Sequence, residues 1–244
     1  MPPHFPASSP PLVIASATPM EMRAAFSHLG QSITDNSDHL QANIQGRSML
    51  LLVTGIGPIN AGIALSGLLG EFPKPLGVLN LGVAGSFNLE ELPLGQPVLV
   101  HEEIWPEYGL VKKNGIDPKG LGLPLGKIHG RPVWDRLPLK PQAHARAMGL
   151  VLPDIPQTIS LTVAGATGTA DRANALRRTY GAAIENMEGF ALAWTCARLG
   201  IPFLEIRTIS NLVGSREQVH WNLQGALRFL GKTIQVLIQP KQKT

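Results

Sequence analysis

Two linked runs, Glu185-Asn-Met-Glu188-Gly-Phe-Ala-Leu-Ala-Trp194 and Gly200-Ile-Pro-Phe-Leu-Glu205-Ile-Arg207-Thr-Ile-Ser-Asn211-Leu-Val-Gly214, decide how this chain is read. The first is apolar at helical spacing from Phe190 onward and stops at Gly200, so it reads as a helix over Met187–Leu199. The second, Phe203–Ser210, is an apolar strand. Each carries polar groups that folding alone does not require. Glu188 opens the helix, Asn211 closes the strand, and Glu205 and Arg207 share one face of it at spacing two. Helix starts and strand ends are where open α/β sheets build ligand sites.

The rest of the chain alternates in the same way. Leu12–Ala17 reads as a buried strand. Thr18-Pro-Met-Glu21 then starts a helix with an N-cap threonine, a proline at the first helical position and an acid in the first turn. Met22, Ala25, Phe26 and Leu29 form its apolar stripe, and Gly30 ends it. Strands are expected at 40–44 and 49–54. Gly55-Ile-Gly-Pro-Ile-Asn-Ala-Gly62 follows and opens a helix over 59–70, a turn able to bring backbone amides to an anion or another segment. It lacks the glycine spacing and the distal acid of a dinucleotide fingerprint. Further strands are expected at 77–86, 96–102, 158–164 and 183–185, with helices at 170–179 and 225–238. Between 106 and 156 glycine and proline recur and periodicity is lost, which predicts a surface excursion with one short helix near 141–148. The order predicts an α/β fold: a single three-layer domain over residues 12–240, with a mixed, mostly parallel central sheet and helices on both faces. Residues 1–11 read as a disordered Pro-rich leader.

Composition narrows the function classes. At 244 residues and 44% hydrophobic content, the chain is long enough for one sizeable core. The net charge of +4 is scattered, without the aromatic-interleaved basic stripe of a nucleic-acid binder. The single cysteine, Cys196, excludes an internal disulfide and reads as a buried small side chain. The histidines show no metal spacing. No apolar run reaches the ~18 residues of a membrane span, and no signal peptide is visible. A cytoplasmic protein without metal or cofactor is expected.

Three residues stand out chemically. Glu188, near the positive end of a helix dipole, should be ionised, and its two oxygens suit a vicinal diol. Helix-start electrostatics explains the same position. Glu21 occupies the first turn of another helix, and a carboxylate there can orient and deprotonate a water or simply complement the dipole. Asn211 offers a donor and an acceptor on one amide, matching the N7/O6 edge of a 6-oxopurine, or it satisfies a turn. For Glu205 and Arg207, an ion pair within the sheet and support of a carboxylate such as Glu188 by Arg207 both remain open.

Five motifs in order, Ala17-Thr-Pro-Met-Glu21, Gly55-Ile-Gly-Pro-Ile-Asn60-Ala, Asn80-Leu-Gly-Val-Ala-Gly85, Glu185-Asn-Met-Glu188-Gly and Arg207-Thr-Ile-Ser-Asn211, resemble the nucleoside phosphorylase/nucleosidase superfamily. The resemblance covers about residues 12–238. It falls in the branch with methylthioadenosine/adenosylhomocysteine nucleosidases, and within it is strongest to the futalosine hydrolases of the alternative menaquinone pathway. It implies an N-glycosidase in which Glu21 activates water and Glu188 holds the ribose diol, with Met187 against the sugar. Val83, Ala84 and Gly85 would lie under the nucleoside, and the backbone of Gly168 and Thr169 would grip the base edge. A bulky aromatic often stands where this chain has Gly168, so Phe87 or Trp105 is expected to supply the stacking surface. Adenine-specific members carry aspartate where this chain has Asn211, which implies a preference for a 6-oxopurine such as the hypoxanthine of futalosine. Hydrolysis is favoured over phosphorolysis, because no Arg or Lys stands between Arg47 and Lys74 to cradle phosphate. A homodimer is implied as well. Lys112, Lys113, Arg131 and Arg136 are candidates to meet the carboxylate of a futalosine 5′ tail.

Overall fold

The strand Leu12–Ser16 (β1) shows why its sequence is continuously apolar. Leu12 and Ile14 pack into a cluster on one face of a sheet, with Met22 and Phe26, while Val13 and Ala15 pack into another on the opposite face, with Leu65 and Phe190. Alternation puts successive side chains on opposite faces, so a strand covered on both sides has no polar phase. The structure is a computed structural model and describes residues 10–27, 39–113 and 115–238. Residues 1–9 of the expected leader, Leu29 and the helix stop at Gly30 lie outside them.

Helix α1 (Pro19–Phe26) follows β1 and starts with a full capping box between Thr18 and Glu21. Strands β2 (His39–Ile44) and β3 (Arg47–Val53) form an antiparallel pair, and β3 runs parallel to β1. Helix α2 (Pro58–Glu71) leads to the long central strand β4 (Gly77–Ser86), then β5 (Pro97–Ile104). After the excursion come β11 (Gln157–Thr162), α4 (Ala170–Tyr180), β12 (Ile184–Asn186), α5 (Gly189–Leu199), β13 (Phe203–Leu212) and α6 (Leu223–Leu237). These match the expected elements to within a few residues.

The sheet is mixed. The pairs β1–β3, β1–β4, β11–β5, β11–β12 and β13–β4 are parallel, and β2–β3, β12–β4 and β13–β5 are antiparallel. Strand β13 pairs both β4 and β5, while β12 links β11 back to β4. The pairing therefore closes a ring, β4–β13–β5–β11–β12, beside the open wing of β1, β3 and β2. The ring brings the ends of β4, β12 and β13 together.

The 106–156 segment departs from expectation. It contains the expected short helix, α3 (Pro141–Ala147), and five strands of three residues each: β6 (Leu110–Lys112), β7 (Gly115–Asp117), β8 (Gly126–Ile128), β9 (Arg131–Val133) and β10 (Arg136–Pro138). The first four make two hairpins, and β10 extends the main sheet along β5. Three-residue strands carry too few residues for a period to show. Among the described residues, no helix is long and apolar enough to cross a membrane.

Candidate active site

A cavity of about 330 Å³ opens where β1, β4, β12 and β13 end. Its wall includes Ala17, Thr18 and Glu21 from the start of α1, Ile56 from the glycine turn, and Val83, Ala84 and Gly85 from β4. Ala166 and Thr167, the run Glu185–Glu188, and Ser210 and Asn211 complete the inner part. The exposed Met20, Arg216, Trp221 and Leu223 form the outer rim, and the buried Leu227 adds to the wall. Glu21 and Glu188 both face this cavity.

Glu188 does not cap its own helix. Asn186 does so, its Oδ1 accepting from Glu188 N at 2.8 Å and Gly189 N at 2.7 Å, while Thr162 Oγ1 accepts from Phe190 N at 2.7 Å. With the first-turn amides satisfied, the Glu188 carboxylate is turned into the cavity. Oε1 accepts from Gly57 N at 3.1 Å, and Oε2 pairs with Arg207 Nη1 at 3.6 Å. The glycine turn thus presents its amide to a protein carboxylate. Gly57 has φ 93°, a left-handed conformation that favours glycine. A carboxylate has about four acceptor positions. Two are used, and one remains on each oxygen. Burial pushes the Glu188 pKa above the ordinary carboxylate value, and Arg207 and the Gly57 amide pull it partly back.

Glu21 is buried and more fully engaged. Oε2 accepts from Thr18 N at 3.0 Å and Thr18 Oγ1 at 2.8 Å, and Oε1 accepts from Val83 N at 2.9 Å. It therefore completes a capping box with Thr18, and it also reaches across to β4. One acceptor position remains, on Oε1. Gly82 makes the approach possible: a Cβ there would collide with Arg207 Nη1 and lie 2.8 Å from Glu21 Oε1.

Arg207 is the largest fully buried side chain. Its Nε donates to Glu205 Oε1 at 2.8 Å, its Nη2 to Asn186 Oδ1 at 3.3 Å, and its Nη1 faces Glu188. Both alternatives left open by the sequence occur together. Glu205 and Glu188 flank the guanidinium and hold its pKa above the ordinary arginine value against burial.

Asn211 follows a register shift in the β13–β4 ladder between Ile209 and Asn211. Such a bulge re-aims a side chain at a strand end. Ser210 Oγ donates to Asn211 Oδ1 at 2.8 Å, and Asn211 Nδ2 donates to Leu212 O at 3.3 Å. This fixes the amide's orientation and leaves Nδ2 a second hydrogen. Past Asn211 the chain folds back, and Trp221 bridges to Asn211 as an isolated β-bridge. The Trp221 ring, with Arg216 stacked over it at 5.7 Å, forms the rim.

Several expectations are displaced. Gly168 and Thr169 do not line the cavity. Ala166 and Thr167 do, and Thr169 instead caps α4, accepting from Arg172 N at 3.4 Å. Thr167 is held by Glu185, which accepts from its N at 2.8 Å and its Oγ1 at 2.6 Å. Neither Phe87 nor Trp105 reaches the wall: Phe87 lies in a core cluster with Ile104 and Leu161, and Trp105 packs on Phe190. The aromatic at the site is Trp221. Lys112, Lys113, Arg131 and Arg136 are also absent from the wall, with Lys112 pairing Asp117 and Arg136 pairing Glu102. Arg216 is the cation at the rim. Its position is reached only through the fold-back after Asn211, so no local pattern announces it. Cys196 is buried, as expected, and burial pushes its thiol pKa up.

The model of the phosphorylase superfamily matches residues 11–239. The chain belongs to this superfamily. Among its relatives, futalosine hydrolase of Thermus thermophilus is 35% identical over 198 residues, covering 80% of this chain and 83% of that protein. Futalosine hydrolase of Streptomyces coelicolor is 34% identical over 188 residues, 74% of each chain. A 5′-methylthioadenosine/S-adenosylhomocysteine nucleosidase of Marinomonas is 27% identical over 180 residues, 72% of this chain and 74% of its own. The fold matches a futalosine hydrolase mutant of Helicobacter pylori with a TM-score of 0.72 at 17% identity, covering 93% of this chain and 97% of that one.

Proposed function

We propose that this member of the superfamily is a nucleoside hydrolase that cleaves the N-glycosidic bond of futalosine, releasing hypoxanthine and dehypoxanthine futalosine in menaquinone biosynthesis. The observation that carries this reading is the amide of Asn211, aimed into the same cavity as Glu188 and Glu21. The two acceptor positions left on Glu188 match the ribose 2′- and 3′-hydroxyls, with Met187 against the sugar and Val83, Ala84 and Gly85 beneath the nucleoside. The one position left on Glu21 Oε1 holds the attacking water and takes its proton. The base lies toward Asn211, where the free Nδ2 hydrogen is given to N7 or O6. The base-edge role that resemblance assigns to Gly168 and Thr169 passes to the backbone of Ala166, because the Thr167 amide is committed to Glu185 and its carbonyl to Gly214 N.

The steps follow from charge. As the C1′–N9 bond lengthens, electrons move onto the purine, where the Asn211 N–H stabilises them. The sugar becomes oxocarbenium-like beside the Glu188 carboxylate, and water adds at C1′ as Glu21 takes its proton. That proton then passes through solvent to the departing purine anion, which leaves as neutral hypoxanthine and restores the Glu21 carboxylate. No metal or organic cofactor enters this scheme. An aspartate at 211 would accept a hydrogen bond from a 6-amino group; the asparagine here pairs with a 6-oxo group and leaves a 6-amino base mismatched. Hydrolysis rather than phosphorolysis is supported by the Gly57 amide being committed to Glu188. Arg216, exposed at the rim, is suited to the carboxylate of the 5′ tail. The active form is a homodimer in the cytoplasm: Ile59 and Ile63, one helical turn apart on α2 beside the cavity residue Ile56, are all exposed and suit a second copy. Incubation with futalosine, inosine and methylthioadenosine, with and without phosphate, followed by chromatography of the free base, tests the reading. Phosphate-independent hypoxanthine release from futalosine supports it, and adenine release from methylthioadenosine as the dominant reaction overturns it.

A further inference from the structure

Glu103 and Glu205 are fully buried and lie outside the cavity wall. They meet beneath the first turn of α5. Glu103, on β5, accepts from Asn186 Nδ2 at 2.7 Å on Oε1 and from Thr162 Oγ1 at 2.6 Å on Oε2. Glu205, on β13, accepts from Arg207 Nε at 2.8 Å and Asn80 Nδ2 at 3.2 Å, both on Oε1. Its Oε2 has no hydrogen-bond partner among the described residues. Gly189 shows how tightly they converge. A Cβ on it would collide with Glu103 Oε1 and lie 2.5 and 2.7 Å from the two oxygens of Glu205.

Two ionised carboxylates cannot hydrogen-bond each other, and in a buried contact they repel strongly. Among the described residues the one guanidinium at the contact, Arg207, is already shared with Glu188. We infer that Glu103 and Glu205 hold one proton between them, Glu103 as the acid and Glu205 as the carboxylate, and that this dyad positions Arg207 against Glu188 from behind. The kinetic side of the inference rests on the role proposed for Glu188.

The surrounding groups fit this assignment. With Glu103 neutral, its O–H supplies the donor that Glu205 Oε2 lacks, and Glu205 has its charge free for Arg207. Toward Glu103 the facing groups are Glu205 and Arg207 from β13, Ser160 and Thr162 from β11, and Asn186 from β12. Burial and the Glu205 charge both push the Glu103 pKa well up, with Thr162, Ser160 and Arg207 opposing them. Asn186 joins the dyad to the site. Its Nδ2 donates to Glu103, and its Oδ1 takes both the Arg207 guanidinium and the amides that set the start of α5. Neither carboxyl touches the cavity, so both are positioning residues.

Infrared difference spectra and steady-state kinetics of Glu103→Gln and Glu205→Gln test the dyad. Glutamine at 103 carries no charge and keeps an N–H donor for Glu205, as the neutral acid does. It should leave kcat within about threefold of wild type, and it should remove a protonated-carboxyl stretch that wild type shows at pH 7. Glutamine at 205 breaks the ionic hold on Arg207 and should lower kcat at least about tenfold, with a smaller change in KM. Absence of that band, equal damage from the two variants, or wild-type kcat in Glu205→Gln overturns the inference. The infrared band needs no substrate, so it decides the dyad's protonation even if Glu205→Gln fails to fold or futalosine is not turned over.

Discussion

Replacing Gly82 by alanine adds one methyl group at the most crowded point of the site. The new Cβ would collide with Arg207 Nη1, lie 3.5 Å from Arg207 Cζ and 2.8 Å from Glu21 Oε1. Ordinary contact requires the carboxylate oxygen to retreat by about 0.6 Å and the guanidinium by about 1 Å. Arg207 has no free direction, because it is buried and fixed through Nε to Glu205. Glu21 can retreat only by stretching its 2.9 Å bond to Val83 N. Overpacking of this kind costs about 1–3 kcal/mol, which for a chain of this size lowers Tm by about 2–12 °C. A displacement near 1 Å in a catalytic group costs about 10²-fold in rate. We expect Gly82→Ala to lose about 10²-fold in kcat/KM for futalosine, read by release of free base, and to melt earlier by differential scanning fluorimetry. A Gly82→Ala enzyme with wild-type Tm and kcat/KM would refute the placement of Arg207 and Glu21 against β4.

Other outcomes follow from the same geometry. Glu21→Gln and Glu188→Gln should each lower kcat/KM by at least ~10²-fold; full activity in both would remove the site from consideration. Arg216→Ala should raise KM for futalosine, which carries an anionic tail, and leave inosine unaffected; an equal change for both substrates contradicts the rim role. Glu103, Glu185, Glu188 and Glu205 all have pKa values raised by burial. In the window above the unfolded value of 4.5 the folded state therefore binds more protons than the unfolded chain, and stability falls as pH rises through the raised values. Urea midpoints measured between pH 5 and pH 8 should decline; a midpoint that climbs across this range contradicts the burial assignments.

The sequence was most legible where the determinants are local. The Thr18–Glu21 capping box is four residues long, so α1 could be read from it directly. β1 is covered on both faces and shows an unbroken apolar run from Leu12 to Ala15. Glu205 and Arg207 share a face because strands repeat every two residues, and their ion pair follows from that. Contacts assembled across the fold were not legible. Glu103 meets Glu205 only because β13 pairs both β4 and β5. Asn186 caps α5, and nothing in Glu-Asn-Met-Glu-Gly says which side chain turns back to the helix. Trp221 and Arg216 reach the rim through a fold-back after a bulge. The hairpins within 106–156 are too short, and too rich in glycine and proline, to show a period.

The central claim is that Asn211 selects a 6-oxopurine, and the most direct measurement is the ratio of kcat/KM for futalosine to that for aminodeoxyfutalosine, in wild type and in Asn211→Asp. The side chains are isosteric, and the Ser210 Oγ donor to Oδ1 is available to either. The account predicts a ratio well above one in wild type, falling or inverting in Asn211→Asp by at least about tenfold. A ratio that is the same in both enzymes, or a wild type that prefers the 6-amino substrate, would contradict it.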